Sequence, residues 1–278
     1  MQKPELLLQQ VNSICTAEQL TWLTEAQEKL SSNSGNPTSD LLTLSAGCQR
    51  RFPQQALLTL DSDITLDLAS AVRIYLIVLA IAELSIENSA ILLSQYFKSG
   101  DSLEKTALLK SLSVIDDSGH YIELALFASR VNDAEVFAAL SLNNPYPLRY
   151  FPLLNWNQLV LKSLHLKLDI NAVKGLSERT NPTLSNMVAD YIVELLLANR
   201  EYPASAWQAI VPSHLESIDN RLIVAAFAYD DLTLKQQILE SIANSSLNQS
   251  NQQTLSEILS SEQDATIRLL IEKLLSNI

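Results

Sequence analysis

With 278 residues, 47% of them hydrophobic, the chain is long enough to bury a substantial core, as one large domain or two small ones. A formal charge of -12 and a pI near 4.7 repel phosphate backbones and anionic headgroups, which argues against nucleic acid and membrane surfaces as partners. Only five glycines and nine prolines, against abundant Leu, Ala, Ser, Gln and Glu, favour helices over a turn-rich sheet protein.

At the N-terminus, Glu5, Gln9 and Gln10 interrupt any apolar run, so no secretory signal is read and a cytoplasmic protein is expected. Cys15 and Cys48 are too few for a disulfide framework and form no C-x-x-C pair, which reads as a reducing compartment. Thr16-Ala17-Glu18-Gln19 has the spacing of a capping box and predicts a helix over about residues 16–30. Residues 32–39, SNSGNPTS, read as a flexible connection, and Asn36-Pro37 opens the next helix. Asp61, Asp63, Thr65 and Asp67 resemble a calcium loop, but Leu66 and Val72 stand where that loop needs Gly and Glu. The acids are therefore expected to cap the following helix.

That helix contains the most apolar run of the chain, Ile74 to Ala82, which is far shorter than the roughly 20 residues a bilayer requires and predicts a buried core helix. Asp101 with Glu104 and Asn132 with Glu135 predict two more capped starts. Next comes a dense stretch, Asn144-Pro145-Tyr146-Pro147, then Arg149-Tyr150 and Asn155-Trp156-Asn157. It crowds polar tips and aromatic faces into one helix-to-helix junction. Prolines holding the chain extended and asparagines closing a turn give this stretch a structural reading as well. Trp156, Leu159, Val160 and Leu164 form an apolar stripe with Gln158 and Lys162 opposite, and Asn181-Pro182 opens a helix with the stripe Leu184, Met187, Val188, Tyr191, Ile192 and Leu195. Residues 244–252 read as a polar loop.

Strand-like alternation is scarce, and the expected class is all-α: antiparallel helix pairs forming a curved α-solenoid of the HEAT or armadillo kind, although no repeat period is present. Residues 1–278 read as a single helical domain, with 1–60 a separately packed N-terminal segment and 101–210 the motif-bearing core.

His120, His165 and His214 share no metal-ligand spacing, and no nucleophile elbow or phosphate-binding glycine loop occurs. No catalytic residue, metal or cofactor is expected. Asp190 and Glu194, one helical turn apart, suit acid/base work if both face a cleft.

Arg130-Val131-Asn132, Asn144 to Pro147, Trp156 to Lys162, Gly175 to Pro182 and Asp190-Tyr191-Ile192-Val193-Glu194 together resemble the EboA family. The similarity runs in register from about residue 101 to 210 and more weakly back to Arg73, and no motif matches in 1–60 or 212–278. The chain departs from the family pattern at Leu195, where Arg is common, and at Val131, where Thr is usual. The resemblance implies a helical cytoplasmic protein of a secondary-metabolite cluster, concerned with moving precursors toward the periplasm. Its implied partners are a UbiA-like membrane prenyltransferase, a TatD-like hydrolase and an isomerase-like barrel. No catalytic residue carries over.

The leading expectation is a non-catalytic adaptor or scaffold that binds a cluster enzyme or its product, using Asn144, Tyr146, Arg149, Tyr150, Asn155, Trp156, Asn157 and Lys162 with the neighbouring Asp190 and Glu194. The alternative is a small-molecule carrier or enzyme with a polar cleft around Asn157, Lys162, Arg179, Asp190 and Glu194. In a third reading these residues are structural. Arg130, Arg179 and Arg200 then pair with Glu135, Asp190 and Glu194, while Asn132 and Asn181 cap helices.

Overall fold

The computed structural model describes residues 3–31, 36–53, 57–61, 64–229, 231–244 and 249–276. Apart from one hairpin, its regular structure is helical. In chain order come α1 (Lys3–Ile14), α2 (Ala17–Ser31), α3 (Pro37–Arg51), β1 (Leu57–Asp61), β2 (Ile64–Asp67), α4 (Leu68–Ile81), α5 (Ile86–Ser99), α6 (Ser102–Ile115), α7 (Ile122–Ala128), α8 (Ala134–Ser141), α9 (Pro145–Tyr150) and α10 (Leu153–His165). After a 3-10 turn follow α11 (Leu176–Arg179), α12 (Pro182–Leu197), two more 3-10 turns, α13 (Asn220–Ala228), α14 (Leu232–Asn244), α15 (Gln249–Ser261) and α16 (Ala265–Ser276). The chain divides into two compact units, Met1–Leu159 with Ala172–Lys174, and Val160–Asn171 with Gly175–Ile278.

Several helices start where local side chains satisfy the first free N–H groups. Thr16 and Gln19 close a reciprocal box, with the Thr16 N–H on Gln19 Oε1 at 2.9 Å. Asp101 and Glu104 do the same at the start of α6. Asn36, Asp67 and Asn181 cap α3, α4 and α12. At α8 the cap is Asp133, whose carboxylate accepts from the Glu135 and Val136 N–H groups, and not the expected Asn132, which is exposed one residue earlier. The shorter loop from Asp133 reaches the first turn directly.

The hairpin was not expected. Residues 58–67 alternate Leu58, Leu60, Ile64 and Leu66 with Thr59, Asp61, Thr65 and Asp67, a period of two that the acidic residues disguise. Leu58 pairs opposite Leu66, and both are buried. Asp63, one of the acids of the calcium-like stretch, lies outside the described residues, as do 32–35 of the expected connection and 245–248 of the polar loop. Residues 249–252 of that loop instead form the first turn of α15.

In the first unit the central helix is α4, whose residues from Leu68 to Ile77 are all buried. It packs against α1, α2, α3 and α6, as an apolar helix without a polar face must. One charge enters with it: Arg73 is 2% exposed, and its Nε and Nη1 have no partner among the described residues. Arg73 and the buried Glu104 of α6 both act electrostatically on Cys48 of α3 and Tyr96 of α5, and the Tyr96 hydroxyl shares a 2.6 Å hydrogen bond with Ser45.

In the second unit α12 lies against α13 and the 3-10 turns, and α13 to α16 pack on one another. Ser185 of α12 accepts from the Val211 N–H and donates to the Ala209 carbonyl. Lys235 reaches Glu262 at 3.1 Å, fastening α14 to the residue that follows α15.

Candidate functional site

The Asn-Pro-Tyr-Pro turn is built from the inside. Asn143 takes a left-handed backbone (φ 53°), which its short polar side chain tolerates, and turns the chain out of α8. Asn144 is 2% exposed and fully engaged: its carbonyl oxygen caps α9 through the Tyr146 N–H, and its amide donates to the Leu109 carbonyl of α6 and the Ala139 carbonyl of α8, each at 3.0 Å. Pro145 occupies the first helical position, where a missing N–H costs nothing. Tyr146 has no exposed surface, and its hydroxyl donates to Asp116 Oδ2 at 2.6 Å.

Asp116, at the end of α6, also accepts from the N–H groups of Ser118, His120 and Tyr121. Burial pushes its carboxyl up, but the Tyr146 hydroxyl and the three backbone donors outweigh that and hold it below the ordinary value. Burial first, then the hydrogen bond to Asp116, raises the Tyr146 phenol far above its ordinary value. Tyr150 packs on Tyr146 with ring centroids 4.8 Å apart and covers Gly119, which sits at φ 78°. Asp116 was not singled out in the sequence, because its partner lies 30 residues further along the chain.

Four residues of the expected binding junction are therefore interior. Asn144, Tyr146, Trp156 and Asn157 are each 2% exposed or less. Arg149 is exposed, while Tyr150, Asn155, Lys162 and Arg179 are half-buried. Burial lowers the affinity of Lys162 and of Arg179 for their protons. Asp190 and Glu194 stand exposed on α12.

Glu194 and Arg200 share a groove of the second unit with His165, Tyr191 and Tyr202; Lys162, Arg179 and Asp190 do not line it. Arg130 and Glu135 are both exposed and form no ion pair among the described residues, which corrects that part of the structural reading. Asn181 does cap α12, through the Leu184 N–H.

Asn144 of the Asn-Pro-Tyr-Pro turn also lines a cleft of about 420 Å³ in the first unit. Its walls are Ile64 and Thr65 of β2, Thr106 and Lys110 of α6, Glu135, Ala138 and Ala139 of α8, and the Leu142–Asn144 turn. Thr106 and Lys110 share a helix face at the i, i+4 spacing, as do Glu135 and Ala139. Lys110 is half-buried and makes neither an ion pair nor a side-chain hydrogen bond among the described residues. Burial lowers its proton affinity, and the nearby Asp67 carboxylate opposes that in part. The sequence carried a signal for it, since Lys110 is the one charge in the apolar run Ala107 to Ile115. Among the described residues, no group of three His, Cys, Asp or Glu is placed to hold a metal ion.

A family pattern described as metabolite traffic protein EboA matches residues 3–211. The chain belongs to the EboA family. No curated protein and no solved structure matches the chain. The EboA match takes in α1 to α3, where no motif had been legible, as well as the hairpin and every residue lining the Lys110 cleft. It ends ahead of α13 to α16. Among the described residues, no helix of this EboA-family chain is long and apolar enough to cross a membrane.

Proposed function

We propose that this EboA-family chain is a non-catalytic binding protein of metabolite traffic that holds a small polar metabolite in the Lys110 cleft. The observation that carries the reading is a half-buried ammonium without an ion-pair partner among the described residues, in a cleft that Asn144 of the Asn-Pro-Tyr-Pro turn helps to wall. A buried cation lacking a partner favours a ligand that supplies negative charge or strong acceptors. Thr65, Thr106 and Asn143 add neutral donors, and Ile64, Ala138 and Leu142 an apolar wall. The enzymes implied by the family resemblance would be the sources and acceptors of that metabolite.

The test is native mass spectrometry of the full chain purified from its own lysate, beside Lys110→Met with a matching thermal melt. A small-molecule adduct held by the native chain and lost in Lys110→Met is the expected result. An adduct held equally by both, or none on the native chain, refutes the reading.

An adaptor face is a second reading, now supported by different residues from those expected. Leu153 and Leu154, at the start of α10, are 52% and 63% exposed, side by side. Two adjacent exposed leucines form a small apolar patch that a partner can cover. Loss of a co-purifying pathway enzyme in Leu153→Ser/Leu154→Ser would support it, and unchanged recovery would remove it.

A further inference from the structure

The chemistry of the Lys110 cleft narrows the ligand class, given the binding role proposed above. We infer that Lys110 captures a carbonyl-bearing metabolite, an aldehyde or a 2-oxo acid, as a reversible Schiff base. An amine attacks a carbonyl only when unprotonated, and a lysine becomes a nucleophile where its ammonium is poorly solvated and not anchored to a carboxylate. Lys110 meets both conditions within α6, flanked in sequence by the buried Leu109 and Ser111. Its half-burial lowers its proton affinity, and Asp67, the carboxylate that acts on it electrostatically, is occupied in capping α4 through the Ser70 N–H.

Three other lysines make contacts that Lys110 lacks. Lys29 pairs with Asp40 at 3.0 Å and Lys235 with Glu262 at 3.1 Å, while Lys105 lies 5.9 Å from the ring of Phe97.

The remaining steps need a proton donor and acceptor within the cleft. The Lys110 amine adds to the carbonyl carbon, and its surplus proton passes to the carbonyl oxygen, giving a carbinolamine. Protonation of that hydroxyl lets it leave as water while the nitrogen lone pair forms the C=N bond. Glu135, exposed at the mouth on the first turn of α8, is the carboxylate placed to relay the proton. The Thr65 and Thr106 hydroxyls supply hydrogen bonds to the carbonyl oxygen or to a neighbouring carboxylate. Water returned to the imine releases the ligand unchanged, so the step needs no oxidant or reductant and serves capture and delivery.

The full-length protein is incubated with pyruvate, and separately with benzaldehyde, in the presence of cyanoborohydride, which reduces the imine to a stable secondary amine. Intact-mass measurement and peptide mapping then locate the adduct. The expected result is a single adduct at Lys110, formed several-fold faster than at any other lysine and absent in Lys110→Arg. In Glu135→Gln it should form several-fold more slowly, and pyruvate binding by the native chain is followed separately by equilibrium dialysis without reductant. Adducts spread over lysines according to exposure, with Lys110 no faster, overturn the Schiff-base inference. Under that outcome, saturable pyruvate binding that Lys110→Met abolishes would leave the metabolite-binding reading standing, and no saturable binding would remove both.

Discussion

Removing one oxygen tests the role assigned to the Asn-Pro-Tyr-Pro turn. Tyr146→Phe keeps the ring that fills the interior and deletes the 2.6 Å hydrogen bond to Asp116. A bond from a neutral donor to a buried carboxylate contributes about 2 kcal/mol, since the anion gives up water to receive it. With a urea dependence of about 2–3 kcal/mol/M, the unfolding midpoint should fall by about 0.7–1 M at neutral pH.

The pH dependence adds a second check. The Asp116 carboxyl is depressed in the fold despite its burial, because Tyr146 and three backbone N–H groups favour the anion. A group depressed on folding contributes stability above its unfolded value, about pH 4, and loses that contribution as pH falls through the folded value. Native chain and variant should therefore differ most at neutral pH and converge in acid. Urea unfolding followed by far-ultraviolet circular dichroism at several pH values reads both effects. A Tyr146→Phe midpoint equal to the native one at neutral pH, or a gap that persists undiminished in acid, would refute this account of the turn.

Further outcomes follow from other parts of the fold. Asp133→Ala should lower stability by about 1 kcal/mol, the usual worth of an N-cap, while Asn132→Ala should leave the thermal midpoint unchanged. Gly119→Ala should destabilise by more than about 1 kcal/mol, because a Cβ there would stand 2.8 Å from Tyr150 Cδ1 on a left-handed backbone; an unchanged melt would show that Tyr150 does not cover that turn. Burial pushes the Cys48 thiol up to about 12, so iodoacetamide at pH 8 should spare Cys48 in the folded chain and modify it in urea, whereas the half-buried Cys15 should react first. Equal labelling of the two thiols in the native protein would contradict the packing of α3 against α4.

The loss of the expected aromatic anchor has a plain physical cause. Tyr and Trp are enriched at recognition surfaces and also fill interiors whenever their polar atoms find partners, so residue type alone does not separate the two. Tyr146 became interior because Asp116, thirty residues earlier in the chain, was placed to receive its hydroxyl. For the same reason a test by Tyr146→Ala/Trp156→Ala would chiefly measure unfolding, since truncating two aromatics of zero exposure removes several kcal/mol each, about 3–5 by precedent.

The sequence by itself determined the helical class and the starts of α2, α3, α6 and α12, because capping joins residues two or three apart and owes nothing to the rest of the chain. Thr16 with Gln19, Asn36, Asp101 with Glu104, and Asn181 all act as their spacing predicts. It also marked α4 as interior, since an apolar helix has no face to offer to water. Tertiary structure alone decided which side chains meet across elements. It paired Leu58 with Leu66 in a hairpin, closed Asn144 onto α6 and α8, and set Lys110 in a cleft walled by residues from β2, α8 and the turn after it. Those meetings depend on how far each element travels before it packs, and no local pattern of residue types encodes that distance.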